Sequence, residues 1–431
     1  MAINPSDFVS IIDNKYFPLE PGTTYISEGS DGAIGTFTVT RQTKVIDGVT
    51  CIVVSDIATL DGQLEEKTFD YFAQDKAGNV WYFGEDTQQY ENGVPVGTAG
   101  TWHAGVDGAE PGIVMEAHPQ VGDKYNQENA PGVAEDQAQV VSLTETVSVP
   151  YATSGHALET NDFTPLSPSQ LEHKYYVPGV GFVMAVDAVS GDVEQLVKIK
   201  FDGTSGDDTL HGKLGTDELH GRAGNDRLFG EDGSDTIFGG GGNDLLDGGK
   251  DLVGDFLHGG AGNDTVVVRT NDHAFGDGGN DVFWLHDNLH FGSINGGGQN
   301  GSNLANTKGD ILHFSGDLDL TTAAMVGRVT GIETLSMRNG HDGDSCTLSA
   351  GDVLDIGDGS FNPTFSGADH FGKGDALRVN GNDGDQLNLT GGGWSLLHAT
   401  NAPDDYAVFA HQGPAGNAYV LVQEDVMVTL A

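Results

Sequence analysis

The sequence predicts an all-β protein, and three observations carry that expectation. Nine-residue units repeat through residues 203–284 with Gly, Asp and an apolar residue in fixed positions. Residues 1–200 break into short alternating runs separated by turn residues, the pattern of half-buried antiparallel strands. Those 200 residues show no convincing helical period. Three parts follow: an antiparallel barrel-like or strongly curved sheet over residues 1–200, a parallel β-roll over 203–285, and a β-rich C-terminal module over 286–431.

In the first part, Asp47-Gly48, Asp61-Gly62 and Ala77-Gly78-Asn79 each lie between strand-like runs, which is the sequence signature of tight hairpins. The later segments EHKYYVPGVGFVMAVDAV and DVEQLVKIKF read as the closing strands.

The repeat begins at Gly203 with GTSGDDTLH, GKLGTDELH, GRAGNDRLF, GEDGSDTIF and GGGGNDLLD, continues through an irregular GGKDLVGDFLH to GGAGNDTVV, and after VRTNDHAF ends with GDGGNDVFW. Position four of every regular unit is Gly. Position six is Asp: Asp208, Asp217, Asp226, Asp235, Asp244, Asp264 and Asp281. Position eight is apolar: Leu210, Leu219, Leu228, Ile237, Leu246, Val266 and Phe283. In the irregular unit Asp255 and Leu257 stand at the equivalent places, but Val253 replaces the glycine, so Asp255 is the weaker member of the set.

Physical chemistry gives this register a shape. Glycine allows the backbone angles of a tight six-residue turn. The last three residues make a short strand whose central apolar side chain points inward. Two units form one coil, so alternate units stack at roughly 4.8 Å. Asp208, Asp226 and Asp244 then line one edge, and Asp217 and Asp235 the other. Carboxylates stacked at about 5 Å repel by about 3 kcal/mol per pair at an effective dielectric of about 20. Such a roll needs cations between its turns, and calcium, which takes six to eight oxygen ligands, suits carboxylates combined with turn carbonyls. Several calcium ions are expected, and their binding is folding free energy for the block.

Composition agrees. Of 431 residues, 64 are Asp or Glu against 19 Lys or Arg, for a formal net charge of -45. The charge argues against nucleic acid and anionic membrane surfaces as partners, since both need clustered basic residues. The charge self-repels unless cations neutralise part of it. The 65 glycines are accounted for largely by turns. Two cysteines, Cys51 and Cys346, exclude a disulfide-rich scaffold and leave open one bridge or two buried thiols. The start, MAINPSDF, lacks the basic and apolar regions of a cleaved secretory signal. No apolar run approaches the roughly 18 residues of a membrane helix.

The units resemble the repeat-in-toxin family of haemolysin-type calcium-binding repeats, pattern GGxGxDxUx, over about a fifth of the chain. The resemblance implies export by the type I secretion machinery through an uncleaved C-terminal signal, with folding on calcium outside the cell. The tail AYVLVQEDVMVTLA, apolar and uncharged over its last five residues, resembles such a signal. The segments VTGIETLSM, CTLSAGDVLDI and ALRVNGNDGDQLNLTGGGW resemble accessory β modules near the C-termini of large secreted repeat proteins, and Ser349 is positioned to cap one short helix there. NKYFPLEPGTTY, AQDKAGNVWYFGEDT and AGVDGAEPGIVMEAHPQVGDKYNQENAPGVAED resemble an uncharacterised bacterial family of secreted β domains, which carries no activity over to this chain.

Catalytic signatures are sparse. There is no HExxH, no GxSxG and no nucleotide-binding fingerprint. The candidate catalytic residues are Glu85 and Asp86, beside Trp81 and Tyr82 in a glycosidase-like setting, and His173. Most such acids are solvated hairpin ends. His103, His118, His156 and His173 are scattered; convergence on a metal is an alternative that their spacing does not show, beside surface or hydrogen-bonded histidines. The leading expectation is a secreted, extracellular or surface-associated calcium-binding protein whose N-terminal domain binds a glycan, a small molecule or a cell surface. The alternatives are a polysaccharide-acting hydrolase or lyase, and a surface-layer or matrix component.

Overall fold

The structure is a computed structural model and describes residues 3–298, 309–337, 343–356, 375–397, 406–414 and 416–431. The chain divides into two compact units: residues 1–202 with 213–217, and residues 203–212 with 218–431. The all-β expectation holds. The described residues form strands throughout, with one short 3-10 turn and one α-helix.

The first unit is an antiparallel barrel. Its strands are β1 (Thr23–Gly29), β2 (Ile34–Ile46), β3 (Val49–Leu60), β4 (Gln63–Asp75), β5 (Val80–Glu91), β6 (Glu110–Met115), β7 (Lys124–Asn126), β8 (Glu128–Asn129), β9 (Gln137–Ser148), β10 (Thr153–Thr164), β11 (Ser167–Val177), β12 (Gly181–Asp187) and β13 (Val193–Asp202). Each of β1 to β5 pairs with the next, β5 pairs with β6, and β6 with β8. The short β7, just before β8, pairs with β9, and the meander β9 to β13 returns to β1 with Ile199 opposite Tyr25. Closure leaves no long open edge.

The hairpin signals read correctly. Asp47 and Gly48 have φ of 47° and 81°, and Asp61 and Gly62 have 51° and 74°, the doubly left-handed geometry of two-residue turns. Asn92-Gly93 does the same at 52° and 75°. Gly84 serves a different end. With φ at 126°, it lets the Trp102–His103 strand pass so close that a side chain there would meet the Trp102 carbonyl. The core inside the barrel gathers Val39, Val54, Phe83, Met115 and Leu158, all fully buried.

The second unit is built of parallel coils. One ladder stacks Thr209–His211, Arg227–Phe229, Leu245–Asp247, Thr265–Val268, Val282–Leu285, Ile311–His313 and Thr334–Ser336. A second stacks Asp217–Ala223, Thr236–Gly241, Phe256–Ala261, His273–Gly278 and Ser293–Asn295. Leu210 lies opposite Leu228, Leu246 and Val266 in turn, so position eight builds a continuous apolar spine, buried from Leu228 onward. At position nine, outside, His220, Phe238, His258 and Phe275 stack ring on ring, with centroids 4.9, 5.2 and 4.5 Å apart.

Parallel stacking runs on beyond Trp284. Asp317–Asp319, Ser345–Ser349, Gln386–Thr390 and Met427–Leu430 form a further parallel sheet, which takes in the C-terminal tail. The one helix, Ala350–Ile356, starts where Ser349 was placed as its cap. Asp352 N–H donates to Ser349 Oγ (3.3 Å), and Ser349 N–H donates back to Asp352 Oδ2 (2.6 Å), a reciprocal capping box. Cys51 and Cys346 are both free and buried.

Candidate metal centre

Every turn of the roll ends on its position-six aspartate, just before the strand. Alternation along the strand sends the position-eight side chain into the spine, and the turn folds the aspartate back over the neighbouring coil. Asp226, Asp235, Asp244, Asp264 and Asp281 are all buried.

One carboxylate oxygen is used in the same way at each level. Asp208 N–H donates to Asp226 Oδ1 (2.7 Å), Asp226 N–H to Asp244 Oδ1 (2.8 Å), Asp244 N–H to Asp264 Oδ1 (2.8 Å) and Asp264 N–H to Asp281 Oδ1 (2.8 Å). The opposite edge repeats it: Asp235 N–H donates to Asp255 Oδ1 (2.9 Å) and Asp255 N–H to Asp272 Oδ1 (3.1 Å). Beside the first ladder runs a second of position-five side chains, with Asn243 N–H on Asn225 Oδ1 (2.8 Å) and Asn263 N–H on Asn243 Oδ1 (2.7 Å).

The other oxygen distinguishes the interior from the ends. At Asp226, Asp244, Asp264 and Asp281, Oδ2 is buried with no hydrogen-bond partner. At the first turn, Asp208 Oδ2 accepts from Thr204 Oγ1 (2.8 Å), and Asp272 Oδ2 accepts from Arg269 N–H (2.7 Å). Asp217, which belongs to the first unit, is held by Tyr151 O–H (3.0 Å) and Lys213 N–H. A buried carboxylate oxygen without a donor is costly unless a cation meets it.

Position-one glycines complete the fit. A Cβ on Gly239 would lie 2.5 Å from both Asp244 Oδ2 and the Gly259 carbonyl; one on Gly259 would lie 2.5 Å from Asp264 Oδ2 and 2.9 Å from the Gly276 carbonyl. Carboxylate and carbonyl oxygens converge where glycine leaves room, which is the donor set calcium takes. Among the described residues no three His, Cys, Asp or Glu side chains group as a metal cage, so the remaining ligands of an ion here are backbone oxygens. Burial, with neighbouring aspartates adding to it, pushes Asp264 up to about 6 and Asp281 up to about 7. Asp226 and Asp244 rise for the same first reason.

Three ladder members were missed in the sequence. Asp272, in the segment VRTNDHAF that looks like an interruption, stacks on Asp255, with Ala274 opposite Leu257. Asp310 accepts from Asp281 N–H (2.7 Å), and Glu333 Oε2 accepts from Asp310 N–H (2.7 Å). None carries the full glycine pattern, although Gly331 stands at position four ahead of Glu333. Each has an acid two residues before a buried apolar residue (Ala274, Leu312, Leu335), and that is the signal that finds them.

The candidate catalytic residues are not brought together. Glu85 and Asp86 are neighbours on β5 and turn to opposite faces. Glu85 Oε2 accepts from Tyr82 O–H (3.1 Å), whereas Asp86 meets Lys44 Nζ (2.7 Å) and His103 Nε2 (3.0 Å). His173 sits elsewhere in the barrel, 3.2 Å from Glu159.

Comparison with known proteins bears on the roll directly. The family model of the RTX calcium-binding nonapeptide repeat matches in four copies, at residues 202–237, 221–251, 254–267 and 269–287. The ladder from Asp208 to Asp281 therefore lies in RTX repeats, and RTX repeats bind calcium. No curated protein matches the chain. A solved structure of a Parabacteroides distasonis protein assigned as a lipoprotein aligns at 13% identity over 43% of this chain and 99% of its own, with a TM-score of 0.25, too low to support any argument.

Proposed function

We propose that this secreted calcium-binding protein leaves the cell by type I secretion, folds its roll on calcium outside, and presents its N-terminal barrel as a ligand- or surface-binding domain. The single observation that carries the calcium-dependent step is the row of buried, donorless Oδ2 atoms at Asp226, Asp244, Asp264 and Asp281. Stacked and unneutralised, these carboxylates oppose closure of the coils; calcium supplies the missing charge, so binding and folding are one event. Low cytosolic calcium then keeps the repeats open for export, and calcium outside closes them. The formal charge of -45 fits a chain that stays soluble while unfolded.

Calcium titration of the full chain, followed by far-ultraviolet circular dichroism, tests this. β signal should rise with a midpoint of roughly 10⁻⁴–10⁻³ M, the range of extracellular calcium modules. A spectrum unchanged up to about 10 mM, well above that range, would remove the calcium-dependent step. For export, removing the tail strand Met427–Leu430 should stop secretion through a type I apparatus without affecting synthesis. Undiminished secretion would assign the signal elsewhere.

A further inference from the structure

The barrel encloses a cavity of about 360 Å³, within the range of small-molecule sites. Its walls combine two chemistries. The first is aromatic: Tyr25, Phe37, Phe72, Tyr82, Tyr176 and Phe182 line it. Phe72 and Tyr82 stack at 4.8 Å, Tyr25 packs against Phe37 at 6.1 Å, and Tyr176 packs edge-on to Phe182 at 5.9 Å. The second is acidic: Asp56, Asp70, Glu128, Asp136, Glu172 and Glu194 also line it.

Only one cation faces these acids from the lining, Lys174, and it is already taken. Its Nζ lies 3.3 Å from Asp162 Oδ2 and 3.2 Å from Glu172 Oε2. Asp56, Asp70, Glu128, Asp136 and Glu194 have no ion pair among the described residues. Neutral donors reach some of them: Tyr82 O–H donates to Asp70 Oδ1 (2.6 Å), and Ser27 Oγ–H donates to Glu194. Asp70 is buried at 7% exposure, and Glu194 and Asp136 lie exposed. A desolvated carboxylate such as Asp70 is expensive to keep charged without a counter-ion, and Asp56, Glu128, Asp136 and Glu194 line the same cavity. Among the described residues no three of these acids group as a metal cage, and the aromatic walls suit an organic cation better than a bare ion. The charge of such a cation meets the carboxylates, and its alkyl body meets ring faces that themselves attract cations.

We propose that the barrel cavity is a binding site for a small organic ammonium compound. The proposal rests on the ligand-binding reading of the barrel and names the ligand class. Asp70 and Glu128 hold the charge inside, Asp136 and Glu194 draw cations to the mouth, and the Phe72–Tyr82 stack with Phe182 cradles the carbon skeleton. Trp102, edge-on to Tyr82 at 5.5 Å, is a built-in optical reporter of occupancy.

The test uses the full chain in saturating calcium, with calorimetry and tryptophan fluorescence. Two matched sets serve as probes: choline against its uncharged isostere dimethylbutanol, and putrescine against butanediol and succinate. Saturable one-to-one binding of choline or putrescine, without binding of the uncharged and anionic partners, is the expected result. Asp70→Asn and Glu128→Gln should each weaken it by roughly ten- to hundredfold, the worth of a contact to a charged group. Asp136→Asn, at an exposed position, gives a smaller loss and keeps the test decisive if the buried variants fail to fold. Equal binding of ammonium compounds and their uncharged isosteres, or of succinate, would overturn the charge selectivity and leave a ligand-binding barrel standing. Ammonium binding untouched by all three variants would put the site elsewhere. No binding by any probe would remove the cavity as a site for small ammonium compounds and leave the ligand- or surface-binding reading to other ligand classes.

Discussion

Asp244 gives its backbone N–H to Asp264 Oδ1 across 2.8 Å, while Oδ2 of the same Asp264 carboxylate lies buried with no donor. One oxygen ties a coil to its neighbour, and the other has no donor among the described residues. The division repeats up the ladder. It separates two jobs that substitution can pull apart.

Asp264→Asn keeps an acceptor for the Asp244 amide and removes the charge. It should shift the calcium midpoint of folding upward by roughly ten- to hundredfold, corresponding to about 1.5–3 kcal/mol for a lost charged contact. Calcium titration by circular dichroism reads this directly, and an unchanged midpoint would take Asp264 out of the ligand set.

Gly239→Ala alters no carboxylate. Its new Cβ would fall 2.5 Å from both Asp244 Oδ2 and the Gly259 carbonyl, so it fills the place where those oxygens converge. Calcium affinity should fall as it does for a lost ligand. Isothermal titration should also show fewer bound ions per chain than in the parent protein; an unchanged count would mean that ions lie elsewhere in the turns.

Calcium removal should divide the chain. In chelator, amides of the ladder strands around Leu219, Leu228, Ile237 and Leu246 should lose hydrogen-exchange protection, because their coils are held apart by stacked charge. Barrel amides in β2 to β5 should stay protected, since their core of Val39, Val54 and Phe83 needs no ion. Uniform loss across both units would contradict this.

Truncating the spine should be expensive even in calcium. Leu246 is fully buried between Leu228 and Val266 in the parallel ladder. Leu246→Ala should cost about 2–5 kcal/mol through lost transfer energy and the cavity left behind. Thermal unfolding in excess calcium measures it; a change below about 1 kcal/mol, under the usual cost of such truncations, would mean the coils collapse onto the gap.

The ligand-free barrel should lose stability as pH rises. Burial, with nearby carboxylates adding to it, pushes Glu85 from 4.5 up to about 7 and Glu128 from 4.5 up to about 8. Asp56 goes from 3.8 up to about 6, and Asp70 is raised well above 3.8 by the same burial. Lys174 is the basic group lining the same cavity as Asp56, Asp70 and Glu128. A carboxylate whose folded pKa is raised binds its proton more tightly in the folded state. Its penalty is absent below the unfolded value and complete above the folded one. Urea midpoints of the barrel transition should therefore fall between about pH 4.5 and about pH 8, the window those values span. A midpoint rising across that range would reverse the assignment.

Local chemistry made much of this legible. Asp47-Gly48 and Asp61-Gly62 announce their turns because two successive left-handed residues leave few alternatives. The repeat aspartates declare themselves because Gly, Asp and an apolar residue stay in phase over many units. Asp272, Asp310 and Glu333 escaped because their turns lack the full run of glycines, and stacking on a preceding coil supplies their register. Glu85 and Asp86 looked like one site because they are adjacent in sequence; strand alternation sends them to different partners.

By itself, the sequence determined the β class, the coil period of the roll and the register of its repeat aspartates, because a nine-residue period and turn stereochemistry are local constraints that each unit satisfies alone. Tertiary structure decided which carboxylate oxygen is spent on the neighbouring amide and which stays open, how far the stack runs past the glycine-rich units, and that acids from β3, β4, β8 and β13 face aromatic rings across one cavity. Those properties depend on barrel closure and on contact between coils, and contacts between residues so distant in the chain leave no period for the sequence to display.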